Sequence, residues 1–298
     1  MRHFYLLVFF TLIANLRGIA QEVEVSDTTY WTNNLSIGLN FSQASFSENW
    51  KAGGVNSVAI GAIVSGSANY KKAKLDWTNE FELQYGIVNN EGQGNRKSVD
   101  RILLDSKIGY DISKNWNGFF SANFLTQFAQ GFRYEENANG DEEQLLISNF
   151  MAPGFLTTSL GFEFKPSKVF WMRLSPFSPR FTFVSDTTIY RNVPSNYGVE
   201  IGETLRTEWL AASVTANFEK EIFENVSLKS RYSFFANYEQ LAFSKIDHRL
   251  DIVITAKVNS WLNVNFNSIM LYDIDQDADL QLSQLLAVGL LYSIKNTD

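Results

Sequence analysis

The stretch LDWTNEFELQYGI, from Leu75 to Ile87, places apolar and polar side chains on alternate positions. Successive side chains of an extended strand point to opposite faces, so this segment has one apolar and one polar face. Segments of about ten residues or more with this alternation are typical of a transmembrane β-barrel. We predict strands of this kind at 33–42, 57–70, 75–88, 99–112, 116–128, 155–165, 169–184, 204–218, 226–238, 248–258, 262–272 and 280–294.

The breaks between these segments are short and long in turn. Outer-membrane barrels have short periplasmic turns, long outer loops and an even number of strands. The sequence therefore predicts an all-β fold: a transmembrane, antiparallel, up-and-down barrel of about 12 strands with both termini in the periplasm. A soluble β-sandwich also alternates, but its strands usually have about five or six residues. Pro176 and Pro179 make the pattern least regular near 169–203.

The ends of the chain carry their own signals. Residues 1–20 combine the basic Arg2, an apolar centre and the small-x-small sequence Gly18-Ile19-Ala20, which predicts a cleaved signal peptide. An uncleaved anchor is disfavoured because its apolar run is shorter than the ~20 residues of a membrane span. We expect residues 21–30 to form a short acidic periplasmic tail and residues 31–298 to form the barrel, located in the cell outer membrane.

Composition excludes several functions. The formal net charge is -7, so nucleic acid is not an expected partner. With no cysteine, the chain can form neither disulfides nor thiolate metal sites. The histidine that follows the leader, His248, falls on the predicted lipid-facing register, which does not suit a catalytic base. We therefore predict no catalytic site, no enzyme activity and no cofactor.

Charged residues fall on the inward faces of several predicted strands. Pairing across the break at 89–98 would place Glu80 near Lys107 and Glu82 near Asp105. Mixed charges in a confined lumen favour a salt-bridged interior. Glu80 and Glu82 could alternatively form a general acid/base pair, because neighbouring carboxylates raise each other's pKa. The lumen-lining charges that we predict are Glu80, Glu82, Arg101, Asp105, Lys107, Arg173, Arg231, Arg249 and Asp251.

Two outer loops have distinctive sequences. The loop 130–154 has an acidic stretch followed by Leu145, Leu146, Ile147, Phe150 and Met151, and such an apolar run should be buried in the barrel mouth or against a partner. The last loop has alternating carboxylates that form a weak candidate for a divalent-ion site. It departs from the calcium-loop pattern at Ala278 and Gln284, so a solvated acidic loop is favoured. The carboxylates are Asp273, Asp275, Asp277 and Asp279.

The first outer loop contains the sequence from Asn49 to Asn56, NWKAGGVN. It resembles the N-W-x-x-G-G-x-N signature of a Bacteroidota family of outer-membrane β-barrels catalogued as a domain of unknown function. The resemblance implies an outer-membrane barrel and no particular activity. Physically, Trp50 is a large amphipathic anchor, and Gly53 and Gly54 permit backbone angles closed to other residues. We favour a loop clamp over a ligand site for these residues.

Three classes of function remain open at this point. The first is a structural or accessory barrel that acts through its outer loops on other envelope proteins, with outer-membrane lipid around it. The second is a narrow channel for ions or small polar solutes, although a barrel of this size can be filled by its own side chains. The third and least favoured is a membrane-embedded enzyme that uses lumen carboxylates.

Overall fold

The computed structural model describes residues 30–47, 55–137 and 139–296. This part of the chain is almost entirely β-structure, and none of its helices is long and apolar enough to cross a membrane. The strands are β1 (Trp31–Ala44), β2 (Ser57–Lys72), β3 (Leu75–Asn90), β4 (Gly94–Asp111), β5 (Trp116–Thr126), β6 (Gly131–Glu136), β7 (Glu142–Ser148), β8 (Gly154–Phe164), β9 (Phe170–Phe177), β10 (Arg180–Phe183), β11 (Leu205–Glu208), β12 (Ala211–Phe223), β13 (Val226–Asn237), β14 (Asp247–Lys257), β15 (Leu262–Asp273) and β16 (Asp277–Asn296).

Twelve of these strands form a closed antiparallel ring. Its order is β1, β2, β3, β4, β5, β8, β9, β12, β13, β14, β15 and β16, with β16 paired back to β1 and β9 paired to β8. Closure leaves no exposed sheet edge in the ring. The predicted fold class, an antiparallel barrel of about 12 strands, is confirmed.

Two of the predicted strands are each split into two pieces. Segment 169–184 becomes β9 and β10, which both pair with β8, and segment 204–218 becomes β11 and β12, which pair with β10 and β9. The first split lies at Ser178 and Pro179, because proline has no N–H to donate to a neighbouring strand. The carbonyl of Pro179 still accepts a bond from the Thr158 N–H at 3.0 Å. The ring therefore keeps twelve members, two of them interrupted.

The outward face of the ring is apolar. On β1 and β16 this face carries Ile37, Leu39, Leu282 and Leu286, which are 46% to 65% exposed. An exposed apolar surface continued around a closed ring is what contact with lipid requires. At the short-turn end, Trp31 stacks near Tyr70 and Trp77, with ring centroids 5.3 and 5.7 Å away. Aromatic side chains of this kind suit a membrane–water interface.

Two of the expected longer loops are tight turns. β3 and β4 are joined by residues 91–93, and β15 and β16 are joined by residues 274–276. The polar residues that we assigned to these loops instead extend the strands, because paired strands need no apolar side chains once they leave the bilayer. The remaining outer connections are longer, in agreement with the expected alternation.

Two long outer connections pack together at the long-loop end of the barrel. We call residues 127–153 and 184–204, apart from residue 138, the outer cap. It contains the β6–β7 hairpin and a small core of Ala152, Val184, Ile189 and Val199. Leu146, from the apolar run of the first connection, packs against this core. That loop thus buries part of its apolar run against the neighbouring connection.

Candidate functional site

The inward side chains form three groups of ion pairs, beginning with one at the short-turn end. Lys107 Nζ lies 2.7 Å from Glu163 Oε1 and 3.0 Å from Asp76 Oδ2. Arg173 Nε lies 2.9 Å from Glu163 Oε2, and its Nη1 lies 3.4 Å from Asp105 Oδ1. We call these five residues the lower cluster. Lys107 and Glu163 are almost fully buried, so each needs its partners to offset the cost of burial.

The second group, the central cluster, crosses the lumen. Arg231 Nη2 of β13 lies 3.4 Å from Glu80 Oε2 of β3, and Arg101 Nη1 of β4 lies 3.8 Å from Asp251 Oδ1 of β14. In the ring of twelve, β3 and β13 stand six places apart, as do β4 and β14. These ion pairs therefore join strands on opposite sides of the barrel.

Two further residues complete the central cluster. Arg249 donates from Nε and Nη2 to the two carboxylate oxygens of Asp251, both at 2.8 Å. Glu82 Oε1 lies 3.3 Å from Arg101 Nη1 and accepts a 3.0 Å bond from Gln84 Nε2. Asp251 is thus held in a two-point pair with Arg249, and Arg101 has only longer contacts to carboxylates.

The third group, the upper cluster, lies beneath the outer cap. Arg180 of β10 pairs with Asp247 of β14, and Arg206 of β11 pairs with both Glu208 and Asp275. Glu208 also accepts a 3.0 Å bond from the side chain of Asn237. These contacts attach the interrupted strands and the last turn to the rest of the ring.

Two lumen cavities share the lining residues Gln84 and Val99, and members of the central cluster line one of them. The larger, about 440 Å³, lies on the side of β4, β5, β8, β9, β12, β13 and β14, and its wall includes Arg101, Arg231 and Trp171. The smaller, about 200 Å³, lies on the side of β1, β2, β3, β15 and β16 and is lined by Asn40, Asn263 and Asn265 among others. Asn265 Nδ2 donates to Asn263 Oδ1 at 2.7 Å there, so these asparagines form a local hydrogen-bond network.

The guanidinium groups of Arg101 and Arg231 keep buried donors without a partner. Among the described residues, no acceptor lies within hydrogen-bond distance of the Nε of either arginine, and both atoms are shielded from solvent. A buried donor that is left unsatisfied costs about 1–3 kcal/mol. Both arginines line the larger of these two cavities.

The nine predicted lumen charges all lie in these clusters. Asp105, Lys107 and Arg173 are in the lower cluster, and the other six are in the central cluster. The strand register differs from our expectation by two residues: Glu80 lies opposite Asp105, and Glu82 lies opposite Leu103. The tight turn at 91–93 and a register shift between Gly86 and Ile87 account for the difference.

Several charged lumen residues were not predicted from the sequence. Asp76 and Glu163 lie at the ends of predicted strands in the inward register, so the alternation itself could have identified them. Arg180 follows the break at Pro179, where the alternation is lost. Arg206 and Asp275 meet only because the outer cap approaches the last turn, and no local signal marks that contact.

The carboxylates of the last turn have structural partners. Asp273 accepts bonds from the Asp275 N–H at 3.0 Å and from Gln276 Nε2 at 2.7 Å, and Asp277 accepts one from the Asp279 N–H at 2.9 Å. Asp275 pairs with Arg206. In the described part of the chain, no group of three histidine, cysteine or acidic side chains is arranged to hold a metal ion. The turn uses these carboxylates as internal acceptors.

Of the first-loop signature, only Asn56 is described, whereas Trp50, Gly53 and Gly54 lie outside the described residues. The Asn56 side chain accepts a 2.6 Å bond from the Phe46 N–H and donates at 2.8 Å to Glu91 Oε2. Its own carbonyl accepts a 2.8 Å bond from the Glu91 N–H. Asn56 therefore ties both ends of the first outer loop to the β3–β4 turn.

The family model described as "Protein of unknown function (DUF3078)" matches residues 41–132, which confirms the resemblance to a family without an assigned function. No curated protein sequence matches significantly.

Among solved structures, the chain is similar to the translocator domain of the autotransporter NalP from Neisseria meningitidis, with 10% identity, 95% of this chain and 94% of that one covered, and a TM-score of 0.36. An outer membrane channel from Pseudomonas putida F1 has 10% identity, coverages of 92% and 100%, and a TM-score of 0.41. OmpT, an outer membrane protein of Vibrio cholerae, has 6% identity, coverages of 91% and 100%, and a TM-score of 0.30.

Proposed function

We propose that this protein is a non-catalytic barrel of the outer membrane that is blocked to free diffusion and acts through its outer cap on other envelope proteins. The observation that carries the proposal is the central cluster, whose ion pairs join opposite strands of the ring. In this arrangement the short turns and both termini face the periplasm, and the apolar outward face contacts outer-membrane lipid.

A role without catalysis fits the partners of the lumen carboxylates. Glu80 and Glu82, the alternative acid/base pair, are both bound to arginines from the central cluster. Their oxygens thus already contact arginine side chains of the lumen. These contacts support a structural role for both residues.

The outer cap supplies a charged surface for a protein partner. In the β6–β7 hairpin, Glu142 pairs with Arg96 and Glu135 pairs with Arg133, while Glu136 and Glu143 are exposed. A partner that contacts this hairpin would carry basic side chains, because complementary charge guides protein association.

Conductance in a planar bilayer tests the blocked lumen. We expect the refolded wild-type barrel to be almost silent, and the double variant Glu80→Ala/Arg231→Ala to conduct measurably, because the variant removes an ion pair that crosses the lumen. The matched control is Glu219→Ala/Lys229→Ala, which removes an exposed pair at 4.0 Å and should stay silent. Steady wild-type conductance would overturn the proposal.

Cross-linking in intact cells tests the outer cap. A photo-reactive residue at position 136, on the exposed hairpin, should yield a defined adduct that Glu143→Lys weakens. The same probe at position 223, on the exposed short-turn side at Phe223, serves as the control. Adduct patterns that are the same at both positions would argue against a partner at the cap.

A narrow channel is the second candidate. The observation in its favour is that two cavities lie in the lumen and share the lining residues Gln84 and Val99. Under this alternative, wild-type barrels would show small, steady and ion-selective conductance in the same bilayer experiment.

A further inference from the structure

We propose that the larger lumen cavity binds a small organic carboxylate with an apolar body, with Arg101 and Arg231 holding the carboxylate. This goes beyond the proposed accessory function, since a blocked barrel can act through its cap with or without a bound solute. The inference comes from the donors, the apolar wall and the volume of the cavity.

The guanidinium groups of two arginines supply the hydrogen-bond donors of the site. Arg101 and Arg231 line the cavity with side chains that are 20% and 22% exposed, and their shielded Nε atoms meet no acceptor from the described residues. Charge-assisted N–H···O bonds are usually about 2.7–2.9 Å long. The contacts of these arginines to Glu82, Asp251 and Glu80 are longer, at 3.3, 3.8 and 3.4 Å. Both guanidinium groups can therefore accept a further carboxylate without giving up a strong existing pair.

The neighbouring carboxylate of Asp251 does not serve as a hydrogen-bond acceptor for Arg101. Asp251 accepts 2.8 Å bonds from Arg249, and its Oδ1 lies 3.8 Å from Arg101 Nη1, which is too far for a hydrogen bond. The planar guanidinium fork matches two carboxylate oxygens, and a neutral amide supplies only one acceptor of lower charge. The site should therefore discriminate a carboxylate from the amide of the same shape.

The apolar residues of the cavity wall are the reason for proposing a ligand with an apolar body. Trp171 lies with its ring 5.7 Å from the Arg231 guanidinium, and Phe119 and Phe235 are buried residues of the same wall. Leu103 and Leu271 add aliphatic surface. This apolar patch lies beside a polar part of the wall that carries five arginines and five aspartates, so an apolar body would contact the patch while its carboxylate reaches the arginines.

The volume sets the size of the solute. A cavity of about 440 Å³ is within the range of about 300–1,000 Å³ that is usual for small-molecule sites. A one-ring carboxylate fits this space and leaves room for water. Benzoate is therefore a suitable probe, and benzamide, its neutral counterpart of nearly equal shape, is the matched control ligand.

The test measures benzoate binding to the refolded, full-length barrel in detergent, by the ligand-detected NMR signal. We expect saturable binding that is at least tenfold weaker for benzamide. The double variant Arg231→Gln/Glu80→Gln removes a donor together with its partner, so the lumen keeps its charge balance. It should weaken benzoate binding at least tenfold, whereas Lys229→Gln, outside the cavity, should not.

Heat-modifiable gel migration shows whether each variant has folded. If the first variant does not fold, Arg101→Gln/Glu82→Gln provides the same comparison at the other arginine. Equal binding of benzoate and benzamide, unchanged affinity in a folded variant, or no saturable benzoate binding by the folded wild type would each overturn the proposal. The last result would mean that water alone satisfies the two arginines.

Discussion

Arg231 and Glu80 meet across the barrel, with Nη2 3.4 Å from Oε2, although their strands, β13 and β3, stand on opposite sides of the ring. A contact of this kind requires both side chains to extend toward the middle of the lumen. The second crossing contact, between Arg101 and Asp251, lies between the strands next to them. These two contacts place charged side chains across the middle of the lumen.

Glu163 should be the most sensitive carboxylate of the lower cluster, because its two oxygens bind Lys107 and Arg173. Glu163→Gln removes the charge that offsets both cations, and loss of one partner of a buried pair typically costs about 3–5 kcal/mol. We expect a loss of that order in the free energy of unfolding, measured in urea with the barrel in micelles. Glu219→Gln is the control: Glu219 lies 4.0 Å from Lys229 and is exposed, so its loss should cost less than about 0.5 kcal/mol. Equal effects would contradict the assignment.

Gly161 should be essential where β8 meets β9. A Cβ at this position would lie 2.1 Å from the Leu174 carbonyl oxygen and 2.8 Å from Ser175 Cα, and neither backbone atom can move away easily. We expect Gly161→Ala to lower the unfolding free energy by about 1–3 kcal/mol, as overpacking does. Gly118→Ala on β5 meets only Ile112 Cδ1, at 3.4 Å, and should have little effect. The measurement is the fraction of heat-modifiable barrel after refolding, and a normal yield for Gly161→Ala would rule out the close approach.

Asn56 should anchor the first outer loop. Asn56→Ala removes the acceptor for the Phe46 N–H and the donor to Glu91, so exchange of the Phe46 amide hydrogen should become severalfold faster. Glu91→Gln keeps an acceptor oxygen for Asn56 and serves as the conservative comparison. Unchanged exchange in Asn56→Ala would show that this side chain does not hold the loop.

The phenol of Tyr197 should lose its proton at a higher pH than an exposed tyrosine does. Burial in the outer cap raises the pKa of its phenol to about 12, and the hydroxyl donates a 2.6 Å bond to the Ile147 carbonyl. Because the pKa is raised above its usual value of 10.0, the contribution of Tyr197 to stability is complete below pH 10 and is lost as the pH rises through about 12. The difference between the tyrosinate absorbance of the wild type and that of Tyr197→Phe should show a step near pH 12. A step near pH 10 would mean that the phenol is exposed.

The strands could be predicted because each one faces lipid on one side and water or polar side chains on the other. Apolar and polar residues therefore alternate along each strand, and this pattern is visible within a single segment. The segment from Leu75 to Ile87 contains that whole signal and lies within β3. The break at Pro179 was also visible, because proline removes a backbone donor. The sequence did not show that β9 and β10, on either side of this proline, would both pair with β8. That pairing depends on the carbonyl of Pro179 and on the neighbouring strand.

The contacts across the lumen could not be predicted for a different reason. Which inward residue of β3 meets which residue of β13 depends on the shear of the whole ring, and every turn and bulge contributes to that shear. The register shift between Gly86 and Ile87 moves the partners of Glu80 and Glu82 by one residue, in addition to the effect of the tight turn. The sequence shows which faces carry charge, but their partners follow only from the closed ring.

The contacts across the barrel also bear on how the chain assembles. Glu80 and Arg101 lie on the early strands β3 and β4, whereas their opposite partners, Arg231 and Asp251, lie on the late strands β13 and β14. A sheet built only from the early strands would therefore present charges to its surroundings without those partners, at a substantial cost in free energy. Arrival of β13 and β14 removes that cost, so the same ion pairs that cross the lumen also favour completion of the ring over partly assembled intermediates.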